Sequence, residues 1–525
     1  MVGKLAIFLA LVSVTTVYGQ HDPHFVGNRT VMVHLFEWRW NDIAEECERF
    51  LGPYGYGGVQ VSPPNENIIL SGNPVNRPWY ERYQPVSYKL ETRSGTEQEF
   101  QSMVRRCNSA GVRIYVDAVI NHMTGPAGRG VGTGGSSYDA DALSFPGVPY
   151  SSSDFNGRNE CPSGSGDIES YNDAIQVRNC RLLGLRDLNQ GVGWVRDKIV
   201  EFFNKLTGYG VAGFRVDASK HIVDASKHMW PGDLKAIFDR LNSLPTDQGF
   251  PSGARPFIFQ EVIDNGGEAI SSKEYIGHGR VTEFKASTNI GDVIRKNNGQ
   301  QLKYVRNWGE GWGYIPEGTA VVFVDNHDNQ RGHGSGGAQV LTFRNSRMYK
   351  MATAFFLAWP YGVTRVMSSY YWDQDFQGGR DVNDWIGPPH DNNFNTLPVT
   401  INPDMTCGNG WMCEHRWRQI FNMARFRNAV KGTSVQGWWE NESNQIAFSR
   451  GNRGFIAINN DNYVLDRTFS TGLPGGIYCD VISGSLSGGT CTGKFITVGN
   501  DGNAQIYISN TDEDPIIAIH ADAKL

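Results

Sequence analysis

Asp217, Glu261 and Asp328 each follow a short apolar run of the chain. Carboxyl groups placed in this way can cut an acetal. Glycosidic bond hydrolysis asks for two carboxyls in different protonation states. One, as an anion, attacks or stabilises the oxocarbenium-like centre, and the other holds a proton for the leaving oxygen. Three acids supply both roles and one more. A single Asp after a strand is ordinarily a turn residue or a helix cap. Here Asn121-His122 and Asn326-His327 stand at comparable places, so the polar residues collect where apolar runs end.

The elements that must position these groups alternate along the chain. Tyr56 to Val61 reads as a strand, ended by Pro63-Pro64. A helix starts near Thr96, where Thr96 and Glu99 form a capping box, and Phe100, Met103, Val104 and Cys107 recur at helical spacing. Gly111 ends it, and Val112 to Ile120 is the next strand. A second helix carries Val195, Ile199, Phe202, Phe203 and Leu206, with Gly208 as its stop, before a strand over Gly210 to Val216. Phe257 to Gln260 and Ala320 to Val324 continue the pattern. Alternating βα units with polar residues at strand C-termini predict an α/β fold, a (β/α)₈ TIM barrel with its site on that face. A doubly wound sheet is the alternative, but the phosphate or dinucleotide loop that usually accompanies it is not in place.

Residues 121–188 break the alternation with a stretch rich in Gly, Ser, Asn and Asp, which reads as an inserted excursion domain. Beyond Thr433 short β-like runs such as Phe455 to Ile458 and Ala504 to Ile508 are separated by Gly and Asn turns, as in an antiparallel β-sandwich domain. The expected organisation is a signal peptide over 1–19, barrel over 20–120 and 189–433, the insertion over 121–188, and the β domain over 434–525. Lys4, the apolar stretch Leu5 to Val17 and the Val17-Tyr18-Gly19 cut site support the signal peptide and a secreted, extracellular product. Eight cysteines suit that compartment and suggest four disulfides, with pairing open. Asn28 and Asn441 begin glycosylation sequons. A net charge of -6 argues against a polyanionic partner such as nucleic acid, and no later apolar segment is long enough to span a membrane.

Four segments, DAVINH (Asp117 to His122), GFRVD (Gly213 to Asp217), FQEV (Phe259 to Val262) and FVDNHD (Phe323 to Asp328), resemble the signature segments of the alpha-amylase family in order and spacing. The resemblance continues through HLFEWRW (His34 to Trp40), NWGEGWGY (Asn307 to Tyr314), GVTRVMSSY (Gly362 to Tyr370) and CEHRWRQI (Cys413 to Ile420) and is strongest toward the chloride-dependent animal members. It implies a retaining endo-hydrolase of α-1,4-glucosidic bonds. Asp217 is then the nucleophile, Glu261 the acid/base and Asp328 the transition-state stabiliser. The implied substrate contacts are Trp79, Tyr80, Tyr83, His122, His327, and His333 in the loop Gly332 to Gly337. The resemblance also implies one structural Ca²⁺ on Asn121, Arg178 through its carbonyl, and Asp187, a hard oxygen set. It implies one activating Cl⁻ on Arg215, Asn326 and Arg365, where an anion offsets the effect of Arg365 and keeps Glu261 protonated near neutral pH. Implied disulfides pair Cys47 with Cys107, Cys161 with Cys180, Cys407 with Cys413 and Cys479 with Cys491. The implied partners are starch, glycogen and malto-oligosaccharides, with no nucleic acid or membrane, and the chain is expected to be a monomer in digestive fluid.

The chain departs from the family in a tandem duplication, VDASKHI (Val216 to Ile222) followed by VDASKHM (Val223 to Met229). Two aspartates, Asp217 and Asp224, therefore compete for one role. Residues two apart in a strand share a face, so Arg215 and Asp217 point together, whereas Ile222 stands two before Asp224. This favours Asp217. The family's Lys-His pair, whose His carbonyl is a further calcium ligand, is either Lys220-His221 or Lys227-His228. The continuation Met229-Trp230-Pro231 favours Lys227 and His228. Two other functions compete: a non-catalytic sugar-binding protein, against which the three acids stand, and an exo-acting alpha-glucosidase, against which Arg365 and the C-terminal β domain stand.

Overall fold

The computed structural model describes residues 20–125, 128–217 and 228–525. The signal-peptide reading of 1–19, and the readings of Lys220, His221, Asp224 and Lys227, fall outside the described residues. Eight parallel strands close a barrel: β1 (Val31–Leu35), β2 (Gly58–Val61), β3 (Arg113–Val119), β4 (Gly213–Asp217), β5 (Phe257–Gln260), β6 (Arg280–Thr282), β7 (Ala320–Val322) and β8 (Val363–Ser368). They neighbour one another in chain order, and β8 pairs with β1 to complete the ring. The strands are buried on both faces apart from the first residue of β6, which is why they read as apolar runs rather than as alternating ones. The expected Tyr56 and Val112 starts shorten to Gly58 and Arg113 because pairing begins only there.

The helix Glu97–Ser109 carries the capping box on Thr96 and buries Phe100, Met103, Val104 and Cys107 against the barrel. The helix Gly193–Gly208 buries Val195, Ile199, Phe202, Phe203 and Leu206. Its stop differs from the sequence reading. Gly208 is still helical, and Gly210, at φ 97°, takes the left-handed turn that leads into β4. Gly213 has a different task. A Cβ there would overlap the Phe257 carbonyl, so only glycine lets β4 approach β5 closely enough to pair.

Among the described residues, 121–188 contribute short pairs of strands, the 3₁₀ turn Ser152–Asp154 and the six-residue helix Ala174–Asn179. His122–Met123 pairs with Arg186–Asp187, bringing the two ends of the excursion together beside β3. The C-terminal part is antiparallel. Val435–Glu440, Gln445–Arg450, Gly454–Asn459 and Ile516–His520 form one sheet, and Leu465–Ser470 pairs with Asn503–Ile508. Alternate residues such as Phe455, Ala457, Leu465, Phe469, Ile506 and Ile519 fill a core of their own. Disulfides join Cys47 to Cys107, Cys161 to Cys180, Cys407 to Cys413 and Cys479 to Cys491. No helix among the described residues is long and apolar enough to cross a membrane.

Candidate active site

Arg215 organises the carboxyl end of the barrel. Its Nη1 donates to Asp117 Oδ1 at 2.6 Å and to Asp217 Oδ1 at 2.8 Å, while its Nη2 lies 2.6 Å from Glu261 Oε1. The backbone dictates this meeting. Arg215 and Asp217 are two apart on β4 and share a face, Asp117 pairs with Arg215 across β3 and β4, and Glu261 directly follows β5. Asp217 and Glu261 are 0% and 2% exposed, so these charges meet in a dry, low-dielectric space where Coulomb terms are large.

Asp328 follows β7 at the head of the 3₁₀ turn Asn329–Arg331. Its amide donates to Asn326 Oδ1 at 3.1 Å, and His327 Nε2 lies 3.3 Å from its Oδ2. Burial, and then the nearby Glu261, push the Asp328 carboxyl well above the usual carboxylate range, against the pull of Arg215. Burial followed by the Arg215 charge holds His327 well below its ordinary value. Burial brings His122 down to about 4, although its Nε2 meets the Tyr83 carbonyl at 2.9 Å. Both imidazoles are therefore neutral at pH 7, each with one donor and one acceptor nitrogen.

The aromatic residues divide. Tyr83 stacks on His327 at 5.3 Å and donates to Asp117 Oδ2 at 2.9 Å. Trp79 meets His327 edge-on at 5.5 Å and donates from its indole to the Asp384 carbonyl at 2.8 Å. Both are buried, so most of their ring surface is covered by protein, whereas Tyr80 is only half-buried. His333 approaches Asp384 Oδ2 at 3.3 Å from a loop in which Gly332, Gly334, Gly336 and Gly337 all have positive φ.

Two ion sites can be tested on the residues present. Asn121 Oδ1 is buried without a partner among the described residues, and Asn121 Nδ2 lies 3.4 Å from Asp187 Oδ1. Asp187 is fully enclosed, and burial pushes its carboxyl well above the usual range despite hydrogen bonds from Asn156 and Asn121. His228 Nδ1 meets the Val177 carbonyl at 2.5 Å, which places His228 beside Arg178. The Arg178 side chain turns away to Glu274 at 2.7 Å, leaving its carbonyl as the group relevant to a metal. A buried amide oxygen and a buried carboxylate with no cationic side chain paired to it among the described residues fit a hard ion such as Ca²⁺. The anion residues fit as well. Arg365 donates to Gln60 Oε1 at 2.7 Å, lies over the Phe323 ring at 4.4 Å and forms no ion pair among the described residues. Burial and the neighbouring Arg215 push it down to about 10. Asn326 turns its Oδ1 to the Asp328 and Asn329 amides, which leaves its NH₂ as a donor.

Residues beyond the sequence reading complete this region. Asp117 ties Arg215 to Tyr83. A charged residue inside the apolar run of β3 was the available signal. Gln60 in β2 carried a related signal, a neutral polar residue inside an apolar run. Arg331 gave none. Its guanidinium is enclosed by Phe36, Trp79, Tyr370 and Trp372 at 4.2–5.7 Å and donates to the His327 carbonyl at 3.0 Å.

Comparison with known proteins bears on this arrangement. Residues 438–522 match the family described as "Alpha amylase, C-terminal all-beta domain". The alpha-amylase of Oryzias latipes is 60% identical over 525 residues, covering 99% of this chain and 100% of that protein. The chain belongs to the animal alpha-amylase family. It is a glycoside hydrolase of the alpha-amylase type. The pancreatic alpha-amylase 2a5 of Mus musculus is likewise 60% identical with the same coverage. The crystal structure of alpha-amylase I from Eisenia fetida superposes with a TM-score of 0.89 at 51% identity, covering 95% of this chain and 98% of that one. A Glu-to-Gln variant of the Eisenia fetida enzyme, crystallised as a maltohexaose complex, superposes with a TM-score of 0.88 at 52% identity, covering 94% and 97%.

Proposed function

We propose that the chain is a secreted, calcium-dependent, chloride-activated endo-hydrolase of internal α-1,4-glucosidic bonds in starch, glycogen and malto-oligosaccharides, acting with retention. The observation that carries the assignment of residues is that a single guanidinium, Arg215, contacts both Asp217 and Glu261 at the ends of adjacent strands. Asp217, as the carboxylate, attacks the anomeric carbon while Glu261 gives its proton to the departing glycosidic oxygen. The resulting ester is opened by water, whose proton passes to Glu261, and Asp217 leaves as the carboxylate with the sugar's configuration retained. Asp328 accepts hydrogen bonds from sugar hydroxyls. Neutral His122 and His327 can donate to or accept from them, and Trp79, Tyr80, Tyr83, Lys227, His228 and His333 bind neighbouring units.

Asn121, Asp187 and the carbonyls of Arg178 and His228 would hold Ca²⁺, which adds folded-state stability at the root of the excursion. Arg215, Asn326 and Arg365 would hold Cl⁻, which offsets the cationic surroundings that strip Glu261 of its proton. Incubation with soluble starch tests the reading. Mixed oligosaccharides with α-anomeric ends are expected, and Glu261→Gln should lower kcat by about 10²–10⁴-fold while sugar binding persists. Glucose as the sole product would instead establish the exo-acting reading.

A further inference from the structure

The amino end of the barrel, opposite the carboxyl cluster, opens on a cavity of about 360 Å³. Its walls come from the chain leading into β1, the starts of β6 and β8, and the segment between the helix Arg418–Ala429 and the C-terminal domain. Five cationic side chains line it: Arg29, Arg280, Arg427, Lys431 and Arg450. Asp22 and Glu317 are the acids on its wall, so five positive charges face two negative ones in a chain whose net charge is -6.

Among the described residues, none of the five is in an ion pair; backbone carbonyls hold them instead. Arg427 donates to Trp359 O at 2.6 Å and Gly362 O at 2.8 Å, and Arg450 donates to Ala358 O and to Thr433 O at 2.7 Å. Arg280 donates to His21 O at 2.8 Å and Ala320 O at 3.2 Å, Arg29 to Gly52 O at 3.1 Å, and Lys431 to Gly27 O at 3.0 Å. Carbonyls satisfy N–H groups but bring no net charge. Arg427 and Arg450 have a structural role, since they cap the C-terminus of the helix Ser346–Ala358 and meet its negative end. Arg29 has a like role at the end of the helix Glu97–Ser109, where it donates to Ala110 O at 3.0 Å and to Gly111 O, and neither role extends to Arg280 or Lys431. Burial and then Arg450 push Arg427 down to about 9, and burial pushes Arg280 and Arg450 down to about 10 each, while Glu317 draws all three back up and Asp22 does the same for Arg280.

We propose that this cavity binds a doubly charged oxyanion of the phosphate or sulfate type, which clamps the base of the barrel to the C-terminal β domain. The cations are already fixed by carbonyls, so little side-chain freedom remains to be lost on binding. Sulfate is the appropriate first probe, because phosphate would also withdraw calcium. Thermal unfolding of the full chain, at fixed calcium, chloride and ionic strength, should show a Tm that rises by roughly 3 °C or more and saturates with millimolar sulfate. Lys431→Glu places an acid on the cavity wall at an exposed position and should fold normally. It should lose the saturating component and keep only the shallow, non-saturating rise that sulfate gives any protein. Glucose 6-phosphate, titrated in parallel, distinguishes the source. Tighter binding than sulfate assigns the site to a sugar ester, and weaker binding assigns it to the free anion. A non-saturating response in the unmodified chain, or equal saturating responses in the chain and in Lys431→Glu, would overturn the proposal.

Discussion

At the carboxyl end of the barrel Arg215 touches Asp117, Asp217 and Glu261; at the amino end Arg280, Arg427 and Arg450 touch backbone carbonyls. The same side chain serves two purposes. Where acids crowd one guanidinium, small changes in charge decide which carboxyl holds a proton, and that is what acid–base chemistry requires. Where guanidiniums crowd carbonyls, N–H groups are matched without compensation of the charge, and the arrangement suits stapling of loops and attraction of an anion. Polar satisfaction and charge compensation are separate requirements, and the two ends of this barrel meet them in different proportions.

The comparison is broken most severely at Asp217. Asp217→Asn removes the carboxylate that bonds to Arg215 and is proposed to attack the anomeric carbon, and kcat should fall by about 10⁴-fold or more. Asp224→Asn should have a mild effect. Steady-state kinetics on a soluble malto-oligosaccharide checks both, and an inactive Asp224→Asn beside an active Asp217→Asn would move the nucleophile to the second copy of the duplication.

A smaller effect is expected at Arg365, which has no acid partner among the described residues. In the unmodified chain chloride should raise activity near neutral pH by about tenfold, the consequence of moving one pKa by about one unit. Arg365→Gln should respond almost flatly across a chloride series. An unchanged steep response would place the anion elsewhere.

Removal of calcium should act on stability before it acts on chemistry, because Asn121 and Asp187 lie at the root of the excursion. A ligand present at a hundred times its Kd contributes about 2.7 kcal/mol, so a strong chelator should lower Tm by several degrees. Superimposable unfolding curves, with metal loss confirmed by elemental analysis, would remove the ion from Asp187.

A stability effect of comparable size, visible only on acidification, concerns the domain behind the amino end. His520 is buried and held down to about 4, chiefly by desolvation, while the ordinary value is 6.5. The unfolded chain therefore binds a proton that the folded chain refuses. The stability from neutral His520 is present in full above pH 6.5 and is lost as pH falls through about 4, at about 1.4 kcal/mol per pH unit in between. His520→Gln should flatten that part of the urea-derived stability profile between pH 6.5 and 4.5. A profile as steep as the original would locate the acid sensitivity in other groups, such as His122.

The sequence by itself determined a great deal. Periodicity marked the helix Glu97–Ser109 down to its capping box and its buried face, because local hydrogen bonding and a 3.6-residue repeat are written in neighbouring residues. Apolar runs ending in acids located β4, β5 and β7 and the residues that follow them, since a parallel barrel puts strand ends on one rim. Spacing on β4 also favoured Asp217 over Asp224, and Asp217 ends that strand beside Arg215. Strand edges were less legible, because pairing partners far along the chain decide where a strand begins. The tertiary structure alone decided that Asp117 bridges Arg215 and Tyr83, that Arg331 lies within four aromatic rings, and that Trp79 and Tyr83 cover their faces with protein while Tyr80 does not. It also decided that Arg29, Arg280 and Arg450, separated by hundreds of residues, face one cavity. The physical reason is common to all of these. A side chain's type and its own backbone period are local properties, but its charge partners and its share of solvent are set only when distant segments close around it.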